Sequence, residues 1–238
     1  MYTFESRIRY SEVGEDRLLT PASLIDYFQD CSTFQSEDVG MGLEYLRSEK
    51  MAWYVIFWQL DIFRRPKLAE RILTGTSPYA MKGFLGYRNF MMETLEGERL
   101  VEANSVWSLM NTETMRPVRV PLLMAERYGV NDPLPMEYRD RKIVFNGLAG
   151  HEASEGDIIT VSEQHLDSNH HVNNGQYVSM ALEFLPADVT IRQLRAEYKK
   201  QAFLGDVIHP FVAREESRIT VALMDGQGKT FAIVEFEL

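Results

Sequence analysis

The first half of the chain opens with a helical pattern of apolar residues. Thr20 is a suitable N-cap and Pro21 takes the first helical position. Leu24, Ile25 and Phe28 then follow at helical spacing. The pattern predicts a helix that starts after residue 20 and buries one face.

Extended patterns follow this helix. Apolar side chains occupy every second position within residues 52–66, which predicts a strand. These side chains are Tyr54, Ile56, Trp58, Leu60 and Ile62. Residues 84–111 predict two further strands around a turn at Glu96 and Gly97.

The second half repeats this order of elements. Residues 157–185 predict a strand, a polar turn and a helix, residues 191–206 a long strand, and residues 218–238 a strand, a turn and a final strand. The apolar stripe of the predicted helix consists of Tyr177, Met180, Ala181 and Phe184. An offset of 153 residues superposes the two helices without gaps, which indicates a duplicated domain.

Each repeat is predicted to be an α+β unit, in which one helix packs on a curved antiparallel sheet. Residues 111–142 carry four prolines and no sustained period, so a linker or crossover segment is predicted there. We place the N-terminal unit at 1–125, the linker at 126–142 and the C-terminal unit at 143–238.

Composition narrows the functional class. The 238 residues carry a formal net charge of −10, which makes nucleic acid an unlikely partner. The single cysteine, Cys31, excludes an internal disulfide and a cysteine metal cluster, and we expect it to be a core residue. The N-terminus has no signal-peptide pattern, and the apolar run 51–60 has about half of the ~20 residues of a membrane helix. We therefore expect a cytoplasmic protein without a stable membrane anchor.

Side chains capable of acid–base chemistry are concentrated in residues 165–177, which hold three of the five histidines. In an extended segment, alternate residues face the same way, so Asp167, Asn169 and His171 would converge beside the N-terminus of the second helix. The N–H groups and positive dipole end there suit a developing oxyanion. The first repeat has Gly14, Asp16 and Leu18 at these positions.

Asp and Asn are also the usual residues of turns and helix caps, so the pattern alone leaves capping and solvated-turn roles open. Asn173 or Asn174 is expected to cap the helix, and His165 and His170 to be packing or surface residues. The histidine spacing does not match a zinc hydrolase motif, so no metal site is expected. The sequence has no nucleophile elbow, phosphate-binding loop or dinucleotide fingerprint, so no cofactor is expected.

The stretch DSNHHVNNGQY (167–177) resembles the D-x-N-x-H-V-N-N-x-x-Y signature of plant and bacterial fatty acyl-acyl carrier protein thioesterases. Residues 102–121 and 194–202 resemble further strands of that family. The resemblance implies a tandem hotdog fold, in which an antiparallel sheet wraps each central helix. It also implies hydrolysis of the thioester between a fatty acyl chain and its carrier protein, which would end fatty acid synthesis.

The family's catalytic residues carry over as Asp167, Asn169 and His171, and its acyl-chain pocket is associated with the N-terminal unit. Two adjacent positions depart from the family pattern: Gln201 and Ala202 stand where plant members carry a catalytic Glu and a Cys. Gln cannot accept a proton as a carboxylate does, although it can still place a water molecule. We expect Gln201 to share a strand face with Lys199 and Glu197, unless a bulge shifts the register.

Several alternatives stay open at this point. Either His171 acts as general base or Asp167 attacks directly. The protein could instead be an acyl-CoA thioesterase of the same fold, or a non-catalytic protein that binds acyl chains or the carrier. The sequence does not set the preferred acyl chain, and a monomer or a homodimer is expected.

Overall fold

The computed structural model describes residues 1–145, 153–167 and 169–238. His151 lies outside the described residues. The chain divides into two compact units, Met1–Ile56 with Leu60–Arg139, and Phe57–Gln59 with Asp140–Leu238. None of the helices in these ranges combines the length and apolar character that a bilayer-spanning helix needs.

Unit 1 holds three α-helices, one 3₁₀ helix (Tyr10–Glu12) and five strands among its described residues. The α-helices are α1 (Pro21–Asp38), α2 (Leu43–Ser48) and α3 (Leu122–Tyr128). The strands are β1 (Tyr2–Arg7), β2 (Met51–Ile62), β3 (Arg71–Lys82), β4 (Leu85–Thr94) and β5 (Arg99–Asn111). All of β2 except Phe57–Gln59 belongs to unit 1. They are ordered β1-β3-β4-β5-β2, and the first three neighbouring pairs are antiparallel.

Unit 2 holds one α-helix and six strands in its described part. The helix is α4 (Asn174–Leu182). The strands are β6 (Ala153–Glu155), β7 (Ile159–Thr160), β8 (Gln193–Tyr198), β9 (Val207–Arg214), β10 (Arg218–Met224) and β11 (Thr230–Glu237). They are ordered β8-β11-β10-β9-β6 with antiparallel pairing, and β7 also pairs with β9.

The long helix of each unit packs on the sheet of the same unit. Helix α1 contacts β1 and β3, and α4 contacts β10 and β11. Thr20 caps α1 as predicted, because its hydroxyl accepts a hydrogen bond from Ser23 N at 3.1 Å. Asn173 caps α4 by accepting from Gly175 N at 2.8 Å. These are the helix-and-sheet units expected of a hotdog fold.

The apolar stripes of the two helices are buried largely as predicted. Leu24, Ile25 and Phe28 of α1 are fully inaccessible to solvent. Burial of each such side chain contributes about 1.5–3 kcal/mol to folding. In the second stripe Tyr177, Met180 and Ala181 are buried, whereas Phe184 lies past the end of α4 and is only partly buried.

Backbone hydrogen bonds confirm the duplication at the predicted offset of 153. Leu19 N donates to Pro66 O at 2.8 Å in unit 1, and Val172 N donates to Ala202 O at 3.0 Å in unit 2. Both donors stand directly before the N-cap of the long helix. The acceptors are related by a second offset, of 136, because the connections after the helices differ in length.

Several elements differ from the sequence prediction, among them β1, α2 and β6, for which no element was predicted. Strands β3 and β9 were not predicted, since each contains a proline and β3 also contains a glycine, residues that are usually depleted in strands. Helix α3 lies in the proline-rich segment predicted to be a linker or crossover. The side chains of Met124 and Tyr128 are buried in a cluster with Met41, Leu46 and Leu109.

The segment 126–142 makes specific contacts within unit 1. Leu134 N donates to Asn89 Oδ1 at 3.0 Å, and the Tyr138 hydroxyl donates to the same oxygen at 3.0 Å. The Tyr138 ring also packs on Tyr79. The first part of the predicted linker is therefore held against the N-terminal sheet.

Candidate active site

The turn before α4 carries three of the predicted site residues. Leu166 and Val172 form an isolated antiparallel bridge that closes it. Inside the bridge, Asp167 N donates to His171 O at 2.8 Å, and His170 N donates to Asp167 O at 3.0 Å. His170 has a φ of 61°, in the left-handed region. The expectation of an extended segment was therefore wrong, and a tight turn brings the three residues together instead.

The Asp167 carboxylate shapes this turn. Its Oδ1 atom accepts hydrogen bonds from Asn169 N at 2.8 Å and from His171 N at 3.2 Å. Short polar side chains commonly bond the backbone two residues further on in turns of this kind. Asp167 thus has the turn-capping role that the pattern left open, and Oδ2 makes no hydrogen bond to another described residue.

Asn169 and His171 present polar groups that the turn itself does not use. Asn169 is exposed and His171 is partly buried. Within the described ranges, neither side chain has a hydrogen-bond partner. The His171 imidazole packs against the Phe203 ring, with centroids 5.0 Å apart and an interplanar angle of 80°. Both side chains are therefore available to a ligand or to water.

Gln201 is carried by the segment that follows β8. Lys199 N and Lys200 N both donate to Phe231 O, at 2.8 and 3.2 Å. Two consecutive donors on one carbonyl are the sign of a β-bulge. The bulge breaks the alternation expected to place Gln201 on the face of Lys199 and Glu197, and β8 ends at Tyr198.

The residue after Gln201 fastens this segment to the site turn. Ala202 is fully buried, its carbonyl accepts from Val172 N at 3.0 Å, and its N–H donates to the Tyr177 hydroxyl at 2.9 Å. Val172 and Ala202 are thus hydrogen-bonded to each other. His171 directly precedes Val172 in the chain, and Gln201 directly precedes Ala202. The Gln201 side chain makes no hydrogen bond to another residue in the described part of the chain.

Sequence reasoning missed the supporting roles of Tyr177 and Phe203. Tyr177 stands in the apolar stripe of α4, and its position at the end of the motif was the available signal. Burial raises the pKa of its hydroxyl to about 12, so the group stays protonated at neutral pH. Phe203 carried no signal, because a single exposed phenylalanine is common on protein surfaces.

The other described histidines have structural or surface positions. His165 Nδ1 accepts from Ser162 N at 3.0 Å and closes the 3₁₀ turn before the site. His170 is exposed, and His209 lies 3.6 Å from Glu155. Across the described residues, no three His, Cys, Asp or Glu side chains are grouped to hold a metal ion.

Four basic segments of the chain, Arg64–Arg65, Lys199–Lys200, Arg139 and Arg141–Lys142, could offer positive charge to a partner, and most of them are paired with acids of the same unit. Arg64 binds Glu70 and Glu98, and Arg65 binds Asp16. Lys199 and Lys200 pair with Glu197 at 3.4 Å and Asp225 at 2.9 Å, and Arg139 pairs with Glu137. Arg141 and Lys142 are exposed and form no ion pair with another described residue.

Known proteins resemble both units. The family model of the acyl-ACP thioesterase N-terminal domain matches residues 1–128, and that of the C-terminal domain matches residues 149–236. A chloroplastic acyl-[acyl-carrier-protein] hydrolase of Cuphea viscosissima is 26% identical over 226 residues, which cover 88% of this chain and 53% of the relative. A chloroplastic palmitoyl-acyl carrier protein thioesterase of Arabidopsis thaliana is 24% identical over 87% of this chain and 53% of its own. The chain thus spans about half the length of these curated relatives.

Solved structures show the same fold. An acyl-ACP thioesterase from Bacteroides thetaiotaomicron superposes with a TM-score of 0.88 at 21% identity, covering 99% of this chain and 96% of the other. The 12:0-ACP thioesterase from Umbellularia californica gives 0.82 at 22% identity, covering 100% and 97%. These similarities confirm the tandem hotdog fold, and the two family matches cover most of the sequence. The chain belongs to the acyl-ACP thioesterase family.

Proposed function

We propose that this protein hydrolyses the thioester of a fatty acyl-acyl carrier protein and releases free fatty acid and carrier protein. The site turn carries the proposal, because it exposes the imidazole of His171 and the amide of Asn169 while Asp167 holds the backbone. Family membership and the names of the Cuphea and Arabidopsis relatives support the same reaction.

His171 is the proposed general base for the attacking water. An imidazole accepts a proton near neutral pH and can return it to the leaving thiolate. Asn169 would donate a hydrogen bond to the thioester oxygen as it becomes an oxyanion, a contribution worth about 3 kcal/mol in such sites. Gln201 would hold the attacking water through its carbonyl oxygen.

The helix end offers fewer free donors to an oxyanion than the sequence suggested. Gly175 N donates to Asn173 Oδ1 at 2.8 Å, and Gln176 N donates to Asn173 O at 2.9 Å. The N-cap therefore occupies both donors. This favours the Asn169 amide as the proposed oxyanion donor.

The same geometry favours the His171 base over direct attack by Asp167. Direct attack would use the Oδ2 atom of Asp167, to which no other described residue donates a hydrogen bond, and the resulting anhydride would neutralise the carboxylate. Its Oδ1 atom would then be a weaker acceptor for the two backbone hydrogen bonds that hold the turn. As an undisturbed carboxylate, Asp167 stabilises the imidazolium that forms on His171 and keeps the turn closed.

The deciding experiment measures fatty acid release from acyl carriers and matching acyl-CoA esters, C8 to C18. We expect the wild type to hydrolyse some acyl carriers and His171→Ala to lose at least about 100-fold in kcat. The matched control is His170→Asn, which changes the neighbouring imidazole and still tolerates the left-handed backbone. Faster turnover of the CoA esters would identify an acyl-CoA thioesterase instead.

A wild type that binds acyl carrier without hydrolysing any substrate would contradict the proposal and identify a binding protein. Gln201→Glu then tests the cause, since it restores the carboxylate of the plant relatives. The acyl carrier protein is the proposed partner, and Arg141 and Lys142 are the proposed contact on this chain. A cytoplasmic location and a monomeric or homodimeric state stay predictions.

A further inference from the structure

An aromatic side chain contacts the proposed base. The Phe203 ring lies edge-to-face with the His171 imidazole, at 5.0 Å between centroids and 80° between planes, although Phe203 is 48% exposed. We propose that Phe203 is a positioning residue, whose ring holds the His171 imidazole in its reactive orientation. The catalytic part of this inference rests on the proposed function.

The backbone of Phe203 is fixed on both sides, which a positioning role requires. Phe203 N donates to Asp206 Oδ2 at 2.9 Å, and Asp206 N returns a hydrogen bond to Phe203 O at 3.0 Å. The preceding residue, Ala202, is fully buried and bonded to both Val172 and Tyr177. The ring is therefore presented to His171 by a rigid support.

His171 needs such a neighbour because no described residue orients its ring by a hydrogen bond. In many catalytic sites a carboxylate or carbonyl on the second ring nitrogen fixes the imidazole. Here Asp167 uses its Oδ1 atom on the backbone N–H of His171. The edge-to-face arrangement is a preferred geometry of aromatic pairs, so Phe203 can supply an orientation that hydrogen bonds leave open.

Unit 1 shows that the turn itself does not require an aromatic residue. Lys67 occupies the matching position, and its N–H donates to Glu70 Oε2 at 2.7 Å while Glu70 N donates back to Lys67 O at 3.0 Å. Lys67 forms an isolated bridge with Leu18, the residue that matches His171. The residue at this matching position is aromatic only in the unit that carries the imidazole.

The test compares Phe203→Leu with Phe203→Tyr, which keeps the ring, and with Leu204→Ala as an exposed control in the same turn. Two readouts are measured: steady-state hydrolysis of the preferred acyl carrier and the NMR signals of the His171 ring protons. We expect Phe203→Leu to lower kcat about tenfold through misplacement of the base, with KM unchanged. We expect its His171 signals to lose their ring-current shift, and Phe203→Tyr to restore both readouts.

Unchanged His171 signals in folded Phe203→Leu would overturn the inference, because the contact would then be absent in solution. Shifted signals with an unchanged kcat would overturn the positioning role. The NMR readout does not need turnover, so it remains decisive for the ring contact even if the wild type hydrolyses no thioester, the result that would refute the proposed function itself.

Discussion

The turns before the two long helices share their backbone hydrogen bonds and differ in their side chains. Gly14 N donates to Leu18 O at 3.0 Å in unit 1, and Asp167 N donates to His171 O at 2.8 Å in unit 2. The fourth residue of each turn, Arg17 or His170, has a φ of 61°. The turn is thus a structural element that either set of side chains can form.

In unit 1, a charged side chain holds the turn through a hydrogen bond and an ion pair. Asp16 Oδ1 accepts from Leu18 N at 3.0 Å, and its other oxygen forms an ion pair with Arg65. Burial raises the pKa of Asp16, but the hydrogen bonds from Leu18 and Arg65 outweigh burial and hold the pKa below its ordinary value. This carboxylate is fully occupied by the fold.

Unit 2 transfers the capping task to a different residue. Asp167 binds the N–H of His171, so the residue that matches Asp16, Asn169, has no capping task. The residue that matches Arg65 is Gln201. A structural ion pair in one repeat is therefore replaced by two neutral amides in the other. The comparison indicates that the proposed catalytic groups occupy positions that the backbone of unit 2 does not need for its turn.

The largest effect should come from restoring the ion pair of unit 1 in unit 2. The double variant Asn169→Asp, Gln201→Arg is expected to fold and to lose about 100-fold in kcat/KM, because it removes the proposed oxyanion donor and the amide proposed to hold the water. The matched control is Asp16→Asn, Arg65→Gln in unit 1. Both are assayed for acyl carrier hydrolysis, and equal activity of the two variants would contradict the assigned roles.

A second set of variants separates the two proposed roles of Asp167, which are to hold the turn and to stabilise the protonated form of His171. Asp167→Gly removes both backbone hydrogen bonds and is expected to cost about 1–3 kcal/mol of unfolding free energy, measured by denaturant titration. Asp167→Asn keeps an acceptor and should retain most of that stability, yet lose at least about tenfold in kcat because the negative charge is gone. If Asp167→Asn were fully active, Asp167 would have a structural role alone.

The smallest expected effect is on the pH dependence of stability, and it comes from a residue of helix α1. Asp26 of α1 lines a concave pocket with Glu12 and Asp30, whereas the matching residue of α4 is Ser179. The Asp26 side chain is exposed to solvent, yet the surrounding pocket atoms partly desolvate its carboxylate. This desolvation, followed by the charges of Asp30 and Glu12, raises the pKa of Asp26 from 3.8 to about 6.

The folded state therefore binds more protons than the unfolded state between about pH 4 and pH 6, and this carboxyl group lowers stability as pH rises through that window. Asp26→Ser should raise the melting temperature relative to the wild type at pH 8 and leave it nearly unchanged at pH 4. An equal gain at both pH values would show that the effect does not come from titration.

Much of this fold could be predicted, because caps and apolar spacing are local signals. Thr20, Asn173 and the turn at Gly97 required only neighbouring residues. Strands β3 and β9 were missed because Gly75, Pro78 and Pro210 disfavour strands locally, while pairing on both sides supplies the stability that propensity lacks.

The candidate site could be predicted only in part, because its geometry depends on contacts that local sequence patterns do not encode. The residue types of Asp167, Asn169 and His171 carried the signature, but their spacing implied an extended face. The actual geometry depends on a left-handed residue and on a carboxylate that bonds the backbone. The neighbourhood of Gln201 depends on a bulge shared with a strand far away in sequence, which no local pattern encodes.

The single cysteine has a practical consequence. Cys31 is completely inaccessible to solvent, and its Sγ lies 3.7 Å from Thr74 O in the interior of unit 1. Burial raises the pKa of its thiol to about 12, so almost no thiolate is present at neutral pH. A new cysteine placed on the surface of the folded protein would then be the one thiol that a probe can label, whereas modification of Cys31 would report opening of the N-terminal core.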